Sequence, residues 1–267
     1  MLEYSFMKKA MVAGIVVGTS DAIVGTYVVL RGMSFIGSGI AHASLGGIAL
    51  GLMLGINPVM TSVAFCLATA LGIGLTSQKA RIKEDTAIGI LSVAAMAFGI
   101  LLLGFIKGYT TDVLGILFGN ILAVTNEDIL ISFAIGALVI GTVALFYKEF
   151  LFISFDEEMA RASGLPVGAI NSVMLGLIAA IVVLSLKVTG IILVSALVVI
   201  PPAAAHQLAK GFKSMILLSS AFGNTSVLLG LLISYYLDMA SGATIVLVAL
   251  GLFLLSWGLK SLTGIRV

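Results

Sequence analysis

Residues 31–51 read RGMSFIGSGIAHASLGGIALG, and the rest of the chain is organised around them. The stretch carries His42, one of two histidines in 267 residues. It lies in a long apolar run, where an ionisable side chain is costly and marks a functional candidate. On a helix Ser34, Ser38 and His42 recur at every fourth position and share one face. Gly39, Ala43, Gly47 and Gly51 form a second face with the same spacing, small enough for another helix to approach closely. The stretch therefore predicts a tightly packed helix that shows a polar strip to the interior of a bundle.

Composition sets the class. Hydrophobic residues make up 60% of the chain and charged residues 10%, with a mean hydropathy of +1.24. Soluble domains carry about 25% charge, so this much apolar surface predicts an all-α polytopic membrane protein. No long polar segment or low-complexity linker interrupts it, and residues 1–267 read as a single transmembrane domain. A net charge of +2 offers no support for nucleic-acid binding. The lone Cys66 excludes an internal disulfide and a cysteine metal cluster, and reads as a packing residue.

At about 20 apolar residues per crossing, spans fall near 10–30, 34–54, 58–77, 86–106, 128–147, 167–187, 189–209, 214–237 and 241–260. These nine candidate spans predict about eight to nine transmembrane helices. Residues 10–30 are too long for a signal-peptide core and read as the first span. Residues 113–124 are apolar but too short to cross, which predicts a broken or re-entrant helix held within protein. With the N-terminus outside, ten of the 14 lysines and arginines fall on the cytoplasmic side, among them Arg31, Lys79, Arg81, Lys83, Arg161 and Lys260. The positive-inside rule favours that topology.

Asp21 is the only acid deep in a span. At helical rise it lies about 15 Å from Arg31, and His42 about 12 Å from Ser34 on the same side. The two are expected at similar depth on neighbouring antiparallel helices, where a carboxylate and an imidazole suit a divalent cation. The competing reading is a hydrogen-bonded pair that only sets helix register. QKARIKEDT at 78–86 reads as a solvated turn. Asp112, Asn120, Glu127 and Asp128 are placed on the outer side, as a solvated rim or a cation-attracting mouth.

SFDEEMARASGLPVG at 154–168 is the longest polar interruption. Ser154 or Asp156 is expected to cap a short cytoplasmic helix, with Asp156, Glu157 and Glu158 in its first turn. Gly164 and Pro166 end it, leaving Ala160, Ala162 and Leu165 for a partner. The Pro201–Pro202 pair is expected to break or kink its helix. His206 then falls near the cytoplasmic end, as an interfacial histidine first and a metal ligand second. Asn224 reads as an interhelical hydrogen bond.

Four stretches together resemble the membrane permease of the ATP-binding-cassette importers for zinc, manganese and iron. They are VVLRGMSFIGSGIAHASLGGIALG at 28–51, LFGNILAVTNED at 117–128, DEEMARASGLPVG at 156–168 and GIILVSALVVIPPAAA at 190–205. The wording AHASLGG is closer to zinc-type members. The resemblance implies a homodimer with the path formed by its helices. It also implies a separate cytoplasmic ATPase that binds ATP, and a separate extracellular metal-binding protein. The ATPase would dock on the short helix, on Asp156, Glu157, Glu158, Ala160, Arg161, Gly164 and Leu165. The family's Asp-x-x-x-His histidine falls on His42, but Ser38 stands where the aspartate is usual. Val93 stands near a histidine of zinc-type members, and Asn120 at an acidic position of many members. Asp21 is the candidate to replace the missing acid.

The leading reading is the permease subunit of an ATP-driven importer in a bacterial cell membrane, with no stably bound cofactor and a divalent metal as cargo. Zinc stands first, then manganese or iron. The chain has no phosphate-binding Gly-x-x-x-x-Gly-Lys-Ser/Thr loop, so ATP hydrolysis belongs to another subunit. Two alternatives are an ion-coupled secondary transporter using Asp21 and His42, and an ATP-driven importer of a metal complex. A membrane-embedded metalloenzyme ranks last, for want of ligands and a base.

Overall fold

The computed structural model describes residues 4–106 and 124–263. The expected re-entrant helix at 113–124, with Asp112 and Asn120, lies outside them apart from Val124. The described residues form helices α1 (Ser5–Leu30), α2 (Ile36–Leu54), α3 (Pro58–Ala80), α4 (Glu84–Phe105) and α5 (Asn126–Leu145). The short α6 (Tyr147–Phe155) and α7 (Glu157–Ala162) follow, then α8 (Val167–Leu208), α9 (Phe212–Leu237) and α10 (Ser241–Thr263). Among the described residues eight helical segments are long and apolar enough to cross a membrane. The segment expected as a crossing at 189–209 is instead the shorter helix Leu193–Leu208.

Turn chemistry explains the boundaries. Asn57 caps α3 by accepting from the Val59 N–H at 2.9 Å, and Pro58 takes the first helical position, which needs no donor. Thr125 and Asp128 form a reciprocal capping box at the start of α5. Asp128 of the expected outer rim is therefore engaged in holding a helix end: it accepts from the Thr125 hydroxyl at 2.7 Å.

The core is built on α8, whose first arm (Val167–Leu186) and second arm (Leu193–Leu208) are joined through Gly190. Asn171, near the start of the first arm, bonds Arg31 just past the end of α1. His206, near the end of the second arm, lines a cavity of about 140 Å³ with Leu30 and Phe155. Both outer ends thus lie at one end of the bundle, and the chain reverses at Gly190. Its φ of 79° and ψ of 171° belong to a region that glycine enters without a side-chain clash.

That reversal corrects the reading of Pro201 and Pro202. Both sit inside a continuous helix, and the break falls before them at Gly190. A proline at 202 has no N–H to give the Val198 carbonyl four residues earlier. Helix α1 packs against that carbonyl through bare backbone: a Cβ added at Gly25 would meet the Val198 oxygen at 2.0 Å and the Pro202 ring at 2.9 Å. The prolines therefore shape a contact surface here instead of ending a helix.

Helix α1 packs chiefly on α8, α9 and α5, while α2 packs on α3, α4 and α8. The two helices adjacent in sequence are thus joined mainly through α8. On α2 the small-residue face behaves as expected, since a Cβ at Gly47 would come within 2.5 Å of the Ser62 backbone on α3. Gly25→Ala is expected to destabilise the protein by about 1–3 kcal/mol through overpacking. Thermal unfolding in detergent checks this, and an unchanged midpoint would contradict the close approach.

Candidate functional site

From Ile36 to Ala49 every residue of α2 is buried except two, Ser38 and His42. Apolar and small residues seal the rest of this stretch against α3, α4 and α8. The opening therefore coincides with the polar strip, and Ser38 Oγ lies 3.4 Å from His42 Nδ1. The strip is shorter than expected: α2 begins at Ile36, and the exposed Ser34 precedes it. Ser92 of α4 is buried beside Gly39, whereas Val93 turns outward and is 68% exposed.

Asp21 is fully buried in α1. Ser185 of α8 donates to both carboxylate oxygens, at 2.9 and 3.2 Å. The expected neighbouring placement of Asp21 and His42 is not found, because α1 and α2 each pack on α8. Among the described residues no group of three or more His, Cys, Asp or Glu side chains is arranged to hold a metal ion. Further polar pairs register α1 against α9. Asn224 exchanges hydrogen bonds with Thr19 at 3.0 and 3.3 Å, and the Thr26 hydroxyl donates to Ser219 at 3.2 Å. Asn224 is thus the interhelical hydrogen bond that its residue type suggested. Cys66 is buried and directs its thiol to the Ile40 carbonyl at 3.4 Å, a packing role. His206 is exposed in the last turn of α8.

The short helix α7 follows the expected chemistry. Asp156, not Ser154, is its cap, accepting from the Met159 N–H at 2.8 Å. At its end the Gly164 N–H donates to Arg161 and the Leu165 N–H to Ala160, with Gly164 at φ 84°. This pattern satisfies the last carbonyls of a helix. Asp156, Glu158, Arg161 and Gly164 are exposed, and Glu157 is half-buried. Ala160 is fully buried in the main core and so closed to a partner, whereas Leu165 packs against that core but is half-buried, and Ala162 is exposed. The large apolar side chains exposed on this segment are Phe155 and Met159.

One cluster escaped sequence reasoning. Arg31 sits at the C-terminal end of α1 with its side chain 7% exposed. It bonds Asn171 of α8, Glu84 of α4 at 2.9 Å and Glu157 of α7 at 3.5 Å. The 78–86 segment is thus not wholly a solvated turn, since Glu84 is only 17% exposed and paired. A lone arginine at the end of a span, facing acids at the same end of the bundle, was the available signal.

The ABC 3 transport family model matches residues 3–260. The chain belongs to that family. It is 44% identical over 257 residues to the manganese transport system membrane protein MntC of Listeria monocytogenes, covering 96% of this chain and 91% of that protein. It is 39% identical over 255 residues to the manganese import system permease protein ScaB of Streptococcus gordonii, covering 96% and 91%. Among solved structures, PsaBC from Streptococcus pneumoniae in complex with Fab is 40% identical, with a TM-score of 0.83 over 96% of this chain and 92% of that one. As an ABC 3 permease the chain is the membrane component of an ABC metal importer, a multi-pass protein of the bacterial cell membrane. The ion-coupled carrier reading falls with that assignment. Both named relatives carry manganese where the AHASLGG wording pointed to zinc.

Asp21→Ala removes the acceptor for Ser185 and is expected to loosen the α1–α8 interface by about 1 kcal/mol. Asp21→Asn keeps an acceptor and is expected to lose less. Thermal unfolding of both variants in detergent checks the order.

Proposed function

We propose that this chain is the permease of an ATP-driven manganese importer, with Ser38 and His42 on the ion path. The carrying observation is that between Ile36 and Ala49 α2 is buried except at those two side chains. The relatives' names support manganese over zinc and iron. The chemistry agrees: manganese suits octahedral oxygen shells, and soft metals favour thiolate. An imidazole and a hydroxyl leave most of the ion's shell to water, and Cys66 is turned away. Few ligands and no carboxylate in the strip suit passage over retention. Asp21 joins the path only in a state where α1 and α8 part. His206, exposed at the cytoplasmic end, belongs to no group of three or more His, Cys, Asp or Glu side chains among the described residues and serves at most as an exit contact.

The rest of the machine is separate. A cytoplasmic ATPase docks around α7, using Asp156, Glu158 and Arg161 with the exposed Phe155 and Met159, while Glu157 is left out of the contact because Arg31 and Arg161 hold its two carboxylate oxygens. An external metal-binding protein delivers the ion, and a second copy of the chain faces the Ser38–His42 strip. This chain hydrolyses no ATP itself, and manganese is its cargo.

Uptake by the assembled transporter tests the proposal. His42→Ala is expected to lower ATP-dependent manganese uptake at least tenfold while the ATPase still co-purifies. Unlabelled manganese is expected to compete better than zinc or iron. Undiminished uptake in the variant would remove His42 from the path, and stronger competition by zinc would reverse the choice of metal. Asp21→Asn with wild-type uptake would take Asp21 out of the path.

A further inference from the structure

We propose that Arg31 is the positioning residue through which motion of α7 reaches the membrane helices. The proposal rests on the functional reading above. Arg31 is held rigidly before its side chain acts. Gly32, at φ 69°, ends α1 with its N–H on the Val29 carbonyl, and Met33 returns its N–H to Val28 at 3.0 Å. Met33 is itself buried in the main core. The arginine therefore projects from a fixed corner between α1 and α2, at the end of α1 where the helix dipole favours a cation.

From that corner its planar guanidinium reaches three other elements. One arm donates to Asn171 at the start of α8. The other donates to Glu84 at the start of α4 and, at 3.5 Å, to Glu157 of α7. Asn171 donates in turn to Glu84 at 2.7 Å, which closes a ring of α1, α4 and α8. Arg161 holds the other Glu157 oxygen at 2.9 Å. Two arginines and two carboxylates thus balance, and the charge is paired from solvent to core.

The links are graded. Arg31 and Glu84 are 7% and 17% exposed, so water screens them little, while Glu157 is 41% exposed and its bond to Arg31 is the longest. The inner ring is the rigid part, and Glu157 is the handle. A displacement of α7 by a docked ATPase pulls on Glu157, and the guanidinium passes that pull to α1, α4 and α8 together. Helix α2, which carries Ser38 and His42, starts five residues after Arg31 and follows the same corner. The fork of Arg31 suits this task, because an ammonium group is a point charge without its fixed geometry.

The test is the amount of manganese transported per ATP hydrolysed, in vesicles carrying the assembled transporter with its binding protein. Glu157→Gln keeps the size of a half-exposed residue and removes its charge. Arg31→Lys keeps the charge and removes the fork, at a side chain only 7% exposed. Both variants are expected to co-purify with the ATPase and to hydrolyse ATP within twofold of wild type, while manganese moved per ATP falls at least fivefold. Transport and hydrolysis that fall in proportion, or a wild-type ratio, would overturn the proposal. Loss of the ATPase from Glu157→Gln would also overturn it, by making Glu157 a docking contact. If Arg31→Lys does not fold, Glu157→Gln decides alone. A wild-type complex that moves no manganese with ATP would instead overturn the functional reading beneath it.

Discussion

The structure depends on one close approach, that of Gly25 in α1 to the Val198 carbonyl in the second arm of α8. Inside a bilayer helices gain little by hiding apolar surface from one another, because lipid is equally apolar. They hold together by fit and by interhelical hydrogen bonds. Gly25 supplies the fit and Pro202 shapes the surface it meets. The Asp21–Ser185 and Asn224–Thr19 pairs then set register along the same helix. With α1 seated, α8 becomes the shared wall on which α2 and α3 also pack.

On that wall α2 does two jobs with one repeat. Its glycine face admits α3 and α4, as at Gly47 against Ser62. Its serine–histidine face stays partly open. The burial of one face is what gives the other meaning, since an opening in a sealed helix is a place where something passes or binds. The same economy appears at the cytoplasmic end, where α7 turns Ala160 into the core and leaves Met159 exposed.

Most of the architecture was legible in the sequence. Long apolar runs located the crossings, and Asp156 with Gly164 bracketed the short helix. Local chemistry decides such features, so one chain suffices to read them. Two errors have a common cause. Placing Asp21 beside His42 assumed that helices consecutive in sequence are neighbours in space, whereas both pack on α8. Taking Pro201–Pro202 as the break weighed proline's local cost and missed Gly190, whose positive φ the hairpin of α8 demands. The Arg31 cluster was missed for the same reason: its members lie on four elements, and only the assembled bundle brings them together. The zinc-type wording rested on one short motif, whereas the manganese in the relatives' names comes with matches over 96% of the chain.

The central claim is that α2 opens to the ion path at Ser38 and His42 and nowhere else between Ile36 and Ala49. Cysteine accessibility measures this directly in the assembled transporter, with Cys66 replaced by alanine. Ser38→Cys is expected to react with a small water-soluble thiol reagent and to be protected by manganese, while Ala41→Cys and Ala43→Cys stay unmodified. Equal reaction at all three positions, or none at position 38, would contradict the account.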